Sequence, residues 1–176
     1  MHKIFAAVRT NAEFLTALKS SVDTIFLLNS EILTLKEMID KAHKAKKKIF
    51  IYFDFVEGLG KDKSGMKFLK LLSPDGIISV KSNIIKIARE NDVKTIQRFF
   101  VVDSRAIGTA VEMIESAKPD MIEIMPGVAY KAIEDFTKRV KTPVIAGGLI
   151  ENESEVASAI SSGAVAVSTG NQDLWR

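Results

Sequence analysis

The stretch Pro143-Val144-Ile145-Ala146-Gly147-Gly148-Leu149-Ile150 is followed, one predicted helix later, by Ala164-Val165-Ala166-Val167-Ser168-Thr169-Gly170-Asn171. Each stretch is a short apolar run ending in small residues, which is typical of a strand buried on both faces of a parallel sheet. Because glycine has no Cβ, the loop after each strand can bring backbone N–H groups close to a ligand. We expect each loop to open into a helix whose first N–H groups suit an anion. Two such loops after the last two strands form the usual phosphate site of an α/β barrel.

The same alternation of strand and helix patterns runs from the start of the chain, giving about eight repeats of roughly 22 residues. The other predicted strands are Lys3–Val8, Thr24–Leu28, Lys48–Asp54, Gly76–Val80, Thr95–Val102 and Asp120–Met125. Strict alternation favours a parallel sheet, which can be a closed barrel or an open doubly wound sheet. An open sheet concentrates ligand-binding residues at one switch point, whereas here polar residues follow nearly every strand. We therefore predict a compact (β/α)8 TIM-type barrel, with residues 1–176 as a single domain.

Composition sets limits on function. Hydrophobic residues make up 47% and charged residues 27% of the 176 residues, as in ordinary soluble proteins. The chain has no cysteine, which removes disulfides, thiolate metal sites and cysteine catalysis and is typical of a reducing compartment. No apolar run reaches the roughly 18 residues of a membrane span, and the N-terminal apolar run is too short for a signal peptide. We predict a cytoplasmic protein; its net charge of +3 permits a nucleic-acid partner without indicating one.

Polar residues stand at or near the end of six predicted strands: Arg9, Asn29, Asp54, Lys81, Arg98 and Glu123. Arg98 and Glu123 lie inside otherwise apolar strands, where an ionised group must be paired or bound to a ligand. We expect both to point into the barrel, although alternation along a strand also allows them to point outward. Cations and carboxylates around a phosphate site suit a small polyol phosphate. They also suit proton transfer or a Schiff base at Lys81.

The sequence does not call for a metal or a cofactor. His2 and His43 lie at the chain start and in a lysine-rich helix end, where neither is placed to act as a base or a ligand. No carboxylate–histidine spacing indicates zinc, and a weak Mg²⁺ site at Asp54 and Glu123 is left open. Gly58 and Gly60 lack the spacing of a nucleotide-binding motif. We predict that their loop is a mobile flap over the barrel mouth, with Lys61 and Lys63 reaching a phosphate.

Several longer motifs carry a resemblance to a known family. They are Phe26-Leu27-Leu28-Asn29, Glu57-Gly58-Leu59-Gly60-Lys61-Asp62, Pro74-Asp75-Gly76-Ile77-Ile78-Ser79, Lys81-Ser82-Asn83, Thr95-Ile96-Gln97-Arg98-Phe99-Phe100, Ile145-Ala146-Gly147-Gly148-Leu149-Ile150 and Ala166-Val167-Ser168-Thr169. Together, from about Phe5 to Trp175, the chain resembles the glycerol-uptake operon antiterminator family. The resemblance implies a barrel that responds to glycerol 3-phosphate, binds the leader mRNA of a glycerol-utilisation operon, prevents transcription termination and protects the transcript. It implies a regulator with no catalytic residues.

The resemblance also implies an effector site. The phosphate is expected at Gly147, Gly148, Ser168 and Thr169, with Lys81 and Arg98 nearby. Adding the other polar residues of the pocket gives the remaining members of the predicted effector-binding set: Gly170, Asn171, Asp54, Glu123, Arg9 and Asn29. The alternative function is a TIM-barrel enzyme acting on a small phosphorylated sugar or polyol, which the same pocket would also suit.

A candidate RNA surface lies at the ends of the second and sixth predicted helices, on the face opposite the effector. It comprises Lys44, Lys46, Lys47, Lys48, Arg139 and Lys141. Lysines near a helix C-terminus also complement the helix dipole, so this cluster alone does not establish RNA binding. Aromatic residues are not interleaved with it, which argues against base stacking there. We expect an exposed Trp175 that either packs against the first helix or joins a second copy, so a homo-oligomer is left open.

Overall fold

The computed structural model describes residues 3–176, and the predictions for Met1 and His2 lie outside the described residues. Eight parallel strands close into a barrel in which each strand pairs with the next and the eighth with the first. Numbered in chain order, the barrel strands are β1 (Ile4–Val8), β2 (Thr24–Leu27), β3 (Lys48–Tyr52), β4 (Gly76–Ser79), β5 (Thr95–Phe100), β6 (Met121–Met125), β7 (Val144–Gly147) and β8 (Ala166–Thr169). The structure therefore confirms the predicted TIM-type barrel and excludes the open doubly wound sheet.

Helices cover the outside of the barrel: α1 (Asn11–Lys19), α2 (Ile32–Lys44), α3 (Lys63–Leu71), α4 (Ser82–Glu90), α5 (Ser104–Ala117), α6 (Tyr130–Arg139) and α7 (Glu153–Ser161). The helix expected after β8 is instead one 3₁₀ turn, Gln172–Leu174, because the chain then turns inward to bury Trp175. Across residues 3–176 no helix has both the length and the apolarity needed to cross a membrane.

The inner core of the barrel is apolar at the N-terminal end of the strands. Phe5, Phe26 and Phe50 pack in a row, with ring centroids 5.2 Å and 5.9 Å apart. Side chains of a strand alternate between its two faces, so the next inward positions along β5 and β6 after Ile96 and Met121 are polar ones at the C-terminal end. The interior of the barrel is therefore apolar at the N-terminal ends of the strands and polar at their C-terminal ends.

The loop after β3, predicted as a mobile flap, pairs with another segment, and its two lysines have partners within the protein. Val56–Glu57 pairs in parallel with Ser30–Glu31 to form a small second sheet. The Lys61 ammonium donates to the carbonyls of Leu59, at 2.8 Å, and Val56, and burial lowers the pKa of Lys61. Lys63 lies 3.4 Å from Glu90. Both ammonium groups thus have partners within the protein.

Trp175 is buried, not exposed. Its side chain is 2% accessible, its Nε1 donates to the Thr169 carbonyl at 2.9 Å, and its own carbonyl accepts from Ser21 N at 3.2 Å. It joins the core cluster that contains Phe14 of α1. Packing against the first helix is therefore correct, and the predicted exposure is wrong.

Candidate effector site at the C-terminal ends of the strands

Arg98 and Glu123 form a buried ion pair at the mouth of the barrel. They are direct neighbours in the β5–β6 register, and Arg98 Nε donates to Glu123 Oε2 at 2.6 Å. Arg98 is 6% accessible and Glu123 is fully buried. The other carboxylate oxygen accepts from Ser168 Oγ at 2.5 Å, which joins β8 to the pair. The predicted inward direction of both charged side chains is correct, because both line the cavity at the barrel mouth. Their pairing compensates for the burial of the two charges.

Gly147 provides the space for this network. A Cβ at position 147 would lie 2.4 Å from Glu123 Oε1 and 2.6 Å from Ser168 Oγ, closer than real side chains approach. Gly147 is itself buried and is not among the residues that line the cavity above it. The absence of a side chain at Gly147 thus allows β7 to approach the Glu123 carboxylate closely.

The turns after β7 and β8 contain backbone donors that have no partner within the described protein. Gly148 and Leu149 both adopt positive φ, at 79° and 59°, so the chain reverses sharply just beyond the strand. Within residues 3–176, the N–H groups of Leu149 and Gly170 donate no hydrogen bond to the protein. Backbone donors at glycine-bearing turns are the groups that commonly bind phosphate oxygens.

The cavity at these turns has a volume of about 510 Å³. Of the residues predicted from sequence, it is lined by Arg9, Arg98, Glu123, Gly148, Ser168, Thr169, Gly170 and Asn171. Sequence reasoning did not select the remaining lining residues, which are Ala7, Leu28, Met125, Leu149, Ile150 and Glu151. Two cations, one of them buried, therefore share the cavity with the two turns.

Two residues of the predicted effector-binding set use their side chains to hold the turns together. Thr169 Oγ1 donates to the Ile150 carbonyl at 2.7 Å, and Asn171 Nδ2 donates to the Glu151 carbonyl at 2.6 Å. These bonds connect the turn after β8 to the turn after β7. Thr169 and Asn171 thus fix the distance between the two turns.

The N-terminus of α7 is not an open anion site. The Asn152 side chain accepts from Glu155 N at 3.0 Å, and Glu155 Oε2 accepts from Glu151 N at 2.7 Å. The first turn also carries Glu153. Acidic side chains and a cap already complement the helix dipole, so the expectation that an anion binds there is wrong.

Three predicted effector residues lie away from this cavity. Asp54, in the 3₁₀ turn Phe53–Phe55, accepts from Ser79 Oγ at 2.9 Å and from Val80 N at 2.9 Å. Lys81 is exposed and precedes α4. Asn29 lines a neighbouring cavity instead, because the chain leaves β2 for the small second sheet. Their positions after predicted strands did not reveal that these residues lie away from the cavity.

Tyr52 is a residue of the site that sequence reasoning missed. The carbon at the centre of the Arg98 guanidinium lies 4.5 Å from the Tyr52 ring centroid, a cation–π contact that supports the arginine from below. Burial raises the pKa of Tyr52, and the positive charge of Arg98 opposes this shift. The signal in the sequence was its position in β3, two residues after the inward-facing Phe50.

One residue of the predicted RNA surface, Lys47, is buried. Lys47 is only 8% accessible, and its ammonium donates to the carbonyls of Ser20 at 2.8 Å and Val22 at 2.5 Å. Burial lowers its pKa, with the charge of Asp23 opposing. It caps carbonyl groups below the barrel and does not face solvent, so its prediction as an RNA contact is wrong.

The other members of that surface lie outside the core. Lys44, Lys46, Lys48 and Lys141 are exposed. Arg139 is also exposed, and its Nε donates to Asp135 at 2.9 Å on the same helix. These cations remain available to a polyanion.

A scan against family models finds one that matches residues 4–175, described as glycerol-3-phosphate responsive antiterminator. The chain belongs to that family. The resemblance drawn from sequence motifs is thereby confirmed over almost the whole chain.

Solved antiterminator-family structures superpose closely on this barrel. The glycerol uptake operon antiterminator regulatory protein of Listeria monocytogenes is 35% identical, with a TM-score of 0.94 over 98% of this chain and 94% of its own. A glycerol uptake operon antiterminator-related protein of Thermotoga maritima is 34% identical, with a TM-score of 0.88 over 99% and 98%. The uncharacterised protein YgcP of Escherichia coli K12 is 36% identical over 98% of this chain and 91% of its own.

Barrel enzymes share the antiterminator fold at much lower identity. An aldolase, QR15, is 17% identical with a TM-score of 0.74, over 97% of this chain and 90% of its own. At that identity the likeness concerns the fold alone.

Proposed function

We propose that this protein senses glycerol 3-phosphate, or a similar phosphometabolite, in the cavity at the ends of β7 and β8. The observation that carries the proposal is the pair of backbone turns with open N–H groups at Leu149 and Gly170, beside two arginines. A phosphate monoester carries close to two negative charges at neutral pH and offers three acceptor oxygens. Open amides and guanidinium groups together match that charge and number of acceptors.

The polar groups deeper in the cavity suit the glycerol part of such an effector. Arg98 uses Nε for Glu123, which leaves the outer nitrogens of its guanidinium directed elsewhere. Each Glu123 oxygen can accept a further hydrogen bond, and the hydroxyl groups of a polyol donate such bonds. Met125 and Ile150 supply the apolar wall.

We further propose that the protein is a non-enzymatic, cytoplasmic transcription antiterminator that binds leader mRNA of a glycerol-utilisation operon. Family membership supports the regulatory role. The exposed cations Lys44, Lys46, Lys48, Arg139 and Lys141 are the proposed phosphate-contacting surface, now without Lys47. Binding through such contacts falls steeply as salt concentration rises.

The alternative of a phosphosugar enzyme has less support. A Schiff-base mechanism needs a lysine in the cavity, and no lysine of the described chain lines it. Glu123 is held by Arg98 and Ser168, and Asp54 by Ser79 and Val80. Carboxylates held in this way are poorly placed to transfer protons to a substrate.

The direct test is a thermal-shift titration with glycerol 3-phosphate, glycerol and inorganic phosphate. At about 100 times its Kd, glycerol 3-phosphate should stabilise the fold by about 2.7 kcal/mol, and glycerol should not. For a chain of this size that is a rise of roughly 5–10 °C in Tm. An unchanged Tm at saturating effector, or turnover of a phosphometabolite at enzyme-like rates, would contradict the proposal.

A pair of variants separates effector from RNA. At Gly148, φ is +79° and a Cβ would lie 2.7 Å from Met125 Cε, so Gly148→Val should distort the turn and remove the thermal response. Basal, salt-sensitive RNA retention should persist in that variant. Replacing Lys46 and Lys48 together by glutamine should have the reverse effect. Equal loss of both activities in both variants would contradict a two-surface arrangement.

A further inference from the structure

Two exposed phenylalanines flank an exposed lysine at the mouth of the barrel. Phe55 follows β3 and is 57% accessible, Phe100 ends β5 and is 58% accessible, and Lys81 follows β4 between them. The three strands are adjacent and in register at Tyr52, Ile78 and Ile96. Neighbouring strands lie about 4.8 Å apart, so the two strand ends are about 10 Å apart. We call Phe55, Lys81 and Phe100 the aromatic rim.

The rim chemistry matches single-stranded nucleic acid. Exposed aromatic rings bind bases by stacking, which is tolerant of sequence, and a lysine between them binds the connecting phosphate. RNA-binding modules recognise unpaired loops in this way. We propose that the aromatic rim binds an unpaired segment of RNA, with bases on Phe55 and Phe100 and a phosphate at Lys81. This inference rests on the proposed function, because it adds a second RNA-contacting surface, at the barrel mouth, to the exposed cations on the opposite face of the antiterminator.

Charge at the mouth favours RNA over a second copy of the chain. Arg9 and Lys81 are exposed on this end of the barrel, whereas Arg98, just inside it, is already paired with Glu123. In a symmetric dimer formed mouth to mouth, the same patch faces itself, which would bring these cations together. Like charges in such contact are repulsive, whereas a polyanion is attracted.

The rim is physically continuous with the effector cavity. The ring centroids of Phe55 and Tyr52 are 4.9 Å apart, and Tyr52 lies under the Arg98 guanidinium at 4.5 Å. Phe100 lies two residues beyond Arg98 on β5 and therefore on the same face of the strand. An effector in contact with Arg98 is therefore separated from Phe55 by one intervening side chain, Tyr52. Because coupling is reciprocal, RNA on the rim should in turn tighten effector binding.

The test uses fluorescein-labelled RNA: a 12-nucleotide mixed-sequence single strand and the blunt duplex of the same sequence. With saturating glycerol 3-phosphate, the native protein should bind the single strand more tightly than the duplex. Phe55→Ala and Phe100→Ala should each weaken single-strand binding about tenfold, in the range of a lost base stack. Phe55→Leu, which keeps an apolar side chain without a ring, should lose nearly as much. Phe68→Ala is the matched control, because Phe68 is partly exposed on α3, away from the rim.

A second measurement does not depend on loss of binding. Trp175 is the one tryptophan of the chain and is buried, so Phe100→Trp adds an exposed indole at the rim. Single-stranded RNA should quench its fluorescence in the presence of the effector, and duplex RNA should not.

The outcomes separate the two hypotheses. Native affinity for the single strand in both alanine variants would overturn the rim assignment and leave the antiterminator function standing. Absence of binding to either RNA by the native protein, with and without effector, would overturn both. If sedimentation instead shows a native dimer that Phe55→Ala and Phe100→Ala dissociate, the rim binds a second copy and the RNA assignment is wrong.

Discussion

Gly147→Ala tests whether the Arg98–Glu123–Ser168 network is rigid. The new Cβ would stand 2.4 Å from Glu123 Oε1, whereas ordinary contacts begin at 3.4 Å, so the carboxylate must move by about 1 Å. Glu123 cannot rotate away freely, because Arg98 Nε holds its other oxygen at 2.6 Å inside the protein. The substitution therefore either overpacks the site or separates the ion pair.

The expected loss of stability follows from these two alternatives. Overpacking a well-packed core costs about 1–3 kcal/mol, and leaving a buried charge without its partner costs about 3–5 kcal/mol. We expect Gly147→Ala to lower the free energy of unfolding by about 3 kcal/mol. For a chain of this length, that corresponds to a fall of roughly 6–12 °C in Tm.

Urea and thermal unfolding of native and variant proteins measure this effect, and Gly170→Ala is the matched control. A Cβ at Gly170 meets its nearest neighbours, Ala7 O and Arg9 Nη1, at 3.6 Å, which is ordinary contact. That substitution should change stability by less than about 0.5 kcal/mol. Adding Ser168→Ala to Gly147→Ala removes the 2.6 Å contact and should restore part of the loss. If Gly147→Ala is as stable as Gly170→Ala, the network is mobile and the reasoning from close contact fails.

Three further predictions concern stability elsewhere in the chain. Lys47→Ala should cost about 1–3 kcal/mol in urea unfolding, because it leaves two buried carbonyls without a donor, whereas Lys44→Ala, at an exposed position, should cost little. Equal effects of these two substitutions would contradict the buried role of Lys47. Gly108→Ala, within α5 and with nothing within 4 Å of the new Cβ, should stabilise the protein by about 0.5–1 kcal/mol, and no rise in Tm would contradict the open space there. Burial raises the pKa of Tyr52, so its contribution to stability is complete below the ordinary value of 10.0 and is lost as pH rises through the raised pKa. The urea midpoint of the native protein should therefore fall more steeply above about pH 10 than that of Tyr52→Phe, and parallel curves would contradict this.

The barrel and the centre of its site were predictable because they depend on local patterns. Alternation of strand and helix periods indicates a parallel sheet. Charged residues inside apolar strands must be paired or bound to a ligand. Arg98 and Glu123 stood in consecutive strands at equivalent positions, so their pairing required only that both point inward. The small residues after β7 and β8 identified the turns in the same way.

What sequence could not decide depends on tertiary contacts. Lys47 has the same side chain as its exposed neighbours Lys46 and Lys48, and only the position of the carbonyls below the barrel makes it a buried donor. Asp54 and Lys81 follow β3 and β4, and their positions after a strand did not reveal that neither lines the effector cavity. The aromatic rim was missed because its three residues stand at the ends of three strands, far apart in the sequence.

The way the charges are held favours recognition over catalysis in this barrel. A catalytic acid or base needs a proton that it can exchange and an approach to the substrate. Here each oxygen of the Glu123 carboxylate accepts one hydrogen bond, from Arg98 and from Ser168, and the arginine in turn contacts the ring of Tyr52. This network holds the Arg98 guanidinium at one position beside the two backbone turns. This arrangement supports the proposal that the site binds a phosphorylated ligand as a sensor and does not transform it.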